Sequence, residues 1–197
     1  ILNGKIIPGD RVFYPVKSHI RASVPKSEKN NLDGKLCLVH DVASAGHSLS
    51  QMISDNGGRL TDSSEMKYND VDLFIHLTSN VPDDFSKLTE LSRGRWDTLV
   101  DKFINNPAKF TQNAIDTFVP GGSDDPRKFK DVKGRIVIIG PALPAGKKIS
   151  GHERAKVEVF RGALRPFATT VNQELSDVLK SNVRAFLILP GTVDGKE

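Results

Sequence analysis

Two runs in the C-terminal third, Ile136-Val137-Ile138-Ile139 and Ala185-Phe186-Leu187-Ile188-Leu189, are apolar without alternation. Strands read this way when both faces are covered, as in a parallel sheet. Between them Phe160, Ala163/Leu164, Phe167, Val171, Leu175 and Val178/Leu179 recur at three- and four-residue steps, the period of one buried helical face. Gly134 to Gly191 is therefore predicted as a strand (135–140), an amphipathic helix (about 156–180) and a strand (184–189) closing on Pro190-Gly191. A unit of this length is a crossover between parallel neighbours. Pro166 removes one bond of the helical ladder, and Gly162 stands four residues earlier where its ring needs space, so a shallow kink is expected there.

The same pattern continues upstream. Lys35-Leu36-Cys37-Leu38-Val39 is a short apolar strand, followed by Leu49, Met52 and Ile53 at helical spacing and a stop at Asn56-Gly57-Gly58. Arg59–Thr61 is a weak second strand, and Val71–Leu77 is a strong third. Trp96, Leu99/Val100, Phe103, Phe110, Ala114 and Phe118 define a long helix over about 96–119, which Pro107 should bend or locally break. Strands alternating with helices predict an α/β fold with a doubly wound parallel sheet in three layers.

At 197 residues, with 38% hydrophobic and 26% charged positions, the chain is an ordinary globular domain able to bury a core. No apolar run reaches the roughly 18 residues of a membrane helix. The lone cysteine, Cys37, excludes an internal disulfide and suits a reducing compartment, so an intracellular site, cytoplasm or mitochondrial matrix, is expected. The formal charge of +4 is confined to the start: residues 1–30 hold six Lys/Arg against two acids, and the remainder holds 22 of each. Residues 1–33, with Pro8, Pro15 and Pro25, read as a basic irregular arm, and 34–197 as the domain. The arm suits an acidic or RNA-containing partner, or serves as a solvated leader.

Several strings, taken together, resemble the short-chain dehydrogenase/reductase (SDR) family, especially its ketoacyl-carrier-protein reductases. They are Leu32–Val39 at the opening strand, Trp96-Asp97 with Thr111-Gln112 in the central helix, Gly134–Val137, then Ala163-Leu164, Phe167, Glu174-Leu175, and Arg184 through Pro190-Gly191. The likeness covers about residues 32–192 and implies a Rossmann-like fold. Only about ten polar residues separate the second strand from Val71, and the family's last strand and substrate helices have no counterpart before Glu197. The chain thus resembles the shortened, flavodoxin-like and catalytically silent N-terminal domain of the high-molecular-weight ketoacyl reductases.

The family's chemistry is not matched. Its glycine-rich first turn, which brings backbone to a dinucleotide's pyrophosphate, is His40-Asp41-Val42-Ala43-Ser44-Ala45-Gly46-His47 here. Asp41 would repel phosphate there, and only Ser44 and Gly46, with Asp62 for the ribose, suit NAD or NADP. The resemblance places the family's catalytic asparagine at Phe103 and its serine at Pro141. Its Tyr-x-x-x-Lys falls on Val157 and Arg161, or in a second register on His152 and Lys156. A reductase needs a phenol made acidic by a neighbouring ammonium, which neither register supplies. His40, His47 and His76 should lie near the C-terminal edge of the sheet, but their spacing matches no metal motif. A triad of Asp41, His47 and Ser44 or Ser48 lacks a nucleophile elbow.

The expected role is therefore a non-catalytic SDR-like module without cofactor or metal. In the family the two long helices pair between subunits, so Phe103, Phe110, Phe160 and Phe167 are candidates for contact with a protein partner or a second copy. The alternative is an NAD(P)-dependent ketoacyl reductase working through His152 and Lys156.

Overall fold

A computed structural model describes residues 32–41, 46–61, 71–78, 87–118, 132–143 and 151–190. The basic arm predicted over 1–33 lies almost wholly outside them. Five strands, β1 (Leu36–Asp41), β2 (Arg59–Thr61), β3 (Leu73–Leu77), β4 (Lys133–Ile139) and β5 (Asn182–Ile188), form one sheet. Its order is β2-β1-β3-β4-β5, and every neighbouring pair is parallel. This is the flavodoxin-like order, which reverses direction between β1 and β3 and opens a crevice at their C-terminal ends.

Helix α1 (Gly46–Asp55) covers one face through Ile53, which packs with Cys37 and Ile75. It stops where the sequence places the stop: Gly57 adopts φ +82°, and Gly58 N–H donates to Ile53 O at 3.0 Å. The opposite face carries the two long helices. The first begins at Ser92, whose hydroxyl caps Arg95 N–H at 3.3 Å, and continues as α2 (Arg93–Val100), a π turn (Asp101–Asn105) and α3 (Asn106–Phe118). Pro107 has no N–H for the carbonyl four residues back, and the wide turn ahead of it absorbs the mismatch. The expected local break is thus a π bulge, with Pro107 itself buried.

Helix α4 (Gly151–Gln173) runs as continuous helix through Pro166 and ends in a second π turn (Glu174–Val178). The main core lies between this layer and the sheet, where Phe74, Ala114, Phe118, Ile136, Val171, Leu175 and Ala185 meet. Gly134 is required there, because a Cβ would stand 2.3 Å from the Phe118 ring. At the sheet's edge, Asn172 donates from its amide to Ala185 O at 2.6 Å and accepts from Ala185 N–H at 2.9 Å. One side chain thereby satisfies both backbone groups that a further strand would have bonded. Cys37 is buried in mid-strand, and burial pushes its thiol above the ordinary range, so it is a core residue rather than a nucleophile.

Candidate functional site: the ends of β4 and β5, and the crevice between β1 and β3

The positions that the family likeness assigns to catalysis come together in space and are filled by packing. Phe103, from the π turn, is fully buried with Leu99, Val157 and Phe160, and Leu143 closes the cluster from the segment after β4. The Phe103 and Phe160 rings lie 4.8 Å apart, with Trp96 stacked 5.9 Å from Phe160 on the outside. One turn along α4 from Val157, the Arg161 side chain is only 5% exposed. Its Nε donates to Pro141 O at 3.0 Å, and another guanidinium nitrogen donates to Pro190 O. Glu158 Oε1, 3.1 Å away, balances the charge.

Arg161 therefore ties the ends of β4 and β5 to α4. Its donors are spent on fixed acceptors, and a guanidinium does not give up its proton in a protein. Val157 offers an isopropyl group to the apolar cluster. Of the two registers left open by the sequence, Val157/Arg161 is the one whose residues join Phe103 and Pro141. His152 is exposed in the first turn of α4, and Lys156 is buried one turn later.

The crevice between β1 and β3 holds a different arrangement. His40 and His76 are register partners on the two strands, and their Nδ1 atoms lie 2.8 Å apart. The Phe110 ring stacks on His40 and lies tilted against His76, with centroids 5.5 Å and 5.1 Å away. At that distance one imidazole donates to the other, and which one donates depends on the tautomer. Burial, and then the proximity of His40, push the His76 pKa down to about 4. In either tautomer His76 Nε2 is left buried without a hydrogen-bond partner. It is the buried side-chain nitrogen or oxygen without a hydrogen-bond partner among the described residues. No three His, Cys, Asp or Glu side chains gather as a metal site among the described residues.

Of the residues expected to favour a dinucleotide, Gly46 starts α1, while Ser44 and Asp62 lie outside the described residues. His47 belongs to the first turn of the same helix. The four phenylalanines divide. Phe103 and Phe160 have no exposed surface and pack against each other, so they belong to the chain's own core rather than to a partner contact. Phe110 is half-buried against the histidines, and Phe167 lines an open groove between α3 and α4 with Ala108, Ile115 and Val171. The Arg161 bonds and the His40–His76 pair escaped the sequence reading. Their one signal is position: Arg161 falls on the buried phase of α4, and His40 and His76 end two apolar strands.

No protein-family model and no curated protein matches the chain. Among solved structures, a metagenomic short-chain oxidoreductase (SDR) in complex with NADP aligns at a TM-score of 0.52 and 16% identity, over 83% of this chain and 74% of that one. The fold is therefore SDR-like: a Rossmann-type α/β domain with a five-stranded parallel sheet, shortened relative to a full SDR. No described helix is long and apolar enough to cross a membrane.

Proposed function

We propose that the chain is a catalytically silent SDR-like domain that works as a structural and protein-interaction module. The observation that carries this reading is Arg161. At the place the likeness assigns to the family's catalytic lysine, a buried guanidinium binds the carbonyls of Pro141 and Pro190 and is neutralised by Glu158. Phe103 and Val157, at the asparagine and tyrosine places, pack as hydrocarbon. Reduction of a ketone needs a group that protonates the nascent alkoxide and donors that fix the carbonyl. These residues supply neither.

The outer surfaces of α3 and α4 are the proposed contact with a partner or second copy, through Phe167 and Ile115 in the groove between them. Two measurements on the full chain test the reading. A steady-state assay with NADPH and a ketoacyl thioester should show no oxidation above the enzyme-free rate, and turnover abolished by His152→Ala would instead establish the reductase alternative. Sedimentation equilibrium should show association that Phe167→Glu disrupts. A monomer at every concentration, with no partner recovered by cross-linking at position 167, would contradict the interaction role.

A further inference from the structure

The face of β4 and β5 on the α1 side has a composition that specifies its cover. Side chains alternate along both strands. Gly134, Ile136, Ile138, Val183 and Ala185 point to the α3/α4 layer and are buried. Lys133, Arg135, Val137 and Ile139 point the other way, as do Asn182, Arg184, Phe186 and Ile188. Val137 and Ile139 reach the edge of the α1 cluster, but Phe186 and Ile188 remain 47% and 48% exposed. A parallel sheet is stable with helices on both faces, and among the described residues none lies over β5 on this side. Phe186 pairs in register with Val137, and Ile188 with Ile139, so the apolar positions form one patch at the C-terminal ends of the strands.

The other half of the face is cationic. Arg135 and Arg184 are register partners, and Lys133 pairs with Asn182. Arg135 donates to the carbonyls of Gly134 and Asn182, and Arg184 to those of Ser181 and Val183. These are backbone contacts that leave the positive charges unbalanced; among the described residues no carboxylate pairs with either. Two copies meeting face to face would oppose like charges. The arm over residues 1–30, with six basic residues against two acids, carries the wrong sign for this surface.

We infer that this face docks an amphipathic helix of a partner protein, with an apolar side over Phe186 and Ile188 and carboxylates against Arg135 and Arg184. β5 spans about 23 Å, which a helix of about 16 residues covers. The surface lies on the opposite side of the sheet from the α3/α4 groove, so its occupancy does not depend on the silence of the Arg161 site.

The test uses the full chain and a fluorescein-labelled helical peptide of about 16 residues, leucine on one side and glutamate on the other. Its counterpart carries lysine in place of glutamate. Fluorescence anisotropy should show saturable binding of the acidic peptide that weakens with salt. Arg135→Glu with Arg184→Glu should weaken it at least about tenfold, and Phe186→Ser should do the same without altering the salt dependence. Circular dichroism of each variant checks folding, and hydrogen exchange on the unaltered chain supplies an arm without substitutions. Peptide addition should slow exchange of β5 amides and not of α3 amides. Equal binding of the basic peptide, no saturable binding, or indifference to both variants would overturn the proposal. So would a Phe186→Cys thiol already inaccessible to a thiol reagent in the free monomer, which would mark the chain's own residues as the cover, or a dimer lost on Phe186→Ser, which would mark a second copy.

Discussion

Replacing Arg161 by lysine, the residue that the family likeness would place there, is the substitution in which packing and catalysis predict opposite results. The guanidinium reaches Pro141 O, Pro190 O and Glu158 at once from a side chain 5% exposed. An ammonium on a flexible stem offers donors around a single point and cannot span both carbonyls in this geometry. One carbonyl at the end of β4 or β5 then stays buried and unpaired, at a cost of about 1–3 kcal/mol. Part of the planar group's packing is lost too, so a loss of about 2–3 kcal/mol is expected, or roughly 4–12 °C in melting temperature for a domain of this size. The assay is urea unfolding followed through Trp96, the only tryptophan, which stacks on Phe160 in the adjoining cluster. Arg161→Met removes the charge as well and should cost at least as much as Arg161→Lys. A lysine variant as stable as the parent chain, or one that gains NADPH oxidation, would refute the assignment of Arg161 to a structural role.

Other outcomes follow from single contacts. The His76 pKa is lowered from 6.5 to about 4 by burial and by His40, so the unfolded chain binds its proton first as pH falls. Stability should be full above pH 6.5 and lost progressively down to about pH 4, by about 3 kcal/mol at roughly 1.4 kcal/mol per pH unit. His76→Phe should flatten that window in urea titrations, and an unchanged slope would count against burial of His76 as the source of the shift. Gly134→Ala places a methyl 2.3 Å from the Phe118 ring and should destabilise by about 1–3 kcal/mol, read as a fall in the thermal midpoint. Asn172→Leu removes both bonds to Ala185 and should cost about 2 kcal/mol while speeding hydrogen exchange at Ala185 more than at Val183.

Much of the fold was legible because the chain is patterned for it. Ile136–Ile139 and Ala185–Leu189 were legible as strands, although Phe186 and Ile188 leave one face of β5 exposed, and the Gly57-Gly58 stop was visible as a backbone requirement. Pro107 announced a defect through its missing N–H, but which way the ladder absorbs it, here as a π turn over Asp101–Asn105, depends on the packing around it. The apolar face containing Phe103 and Phe160 was also visible. A helical period says only that a face is buried, not against what, and these two candidates for a partner contact are buried against each other, Leu99, Val157 and Leu143 within the chain. The sites were less legible because they are long-range. Arg161 joins residues 20 and 29 positions away, and His40 meets His76 only because β3 is inserted beside β1. Neither neighbour relation is encoded in local spacing.

The measurement that bears most directly on a silent SDR-like domain is a calorimetric titration of the full chain with NADPH and, separately, with NADH. The account predicts no saturable heat for either dinucleotide, in the parent chain and in Arg161→Lys alike. Binding of one NADPH or NADH per chain in the micromolar range would contradict it.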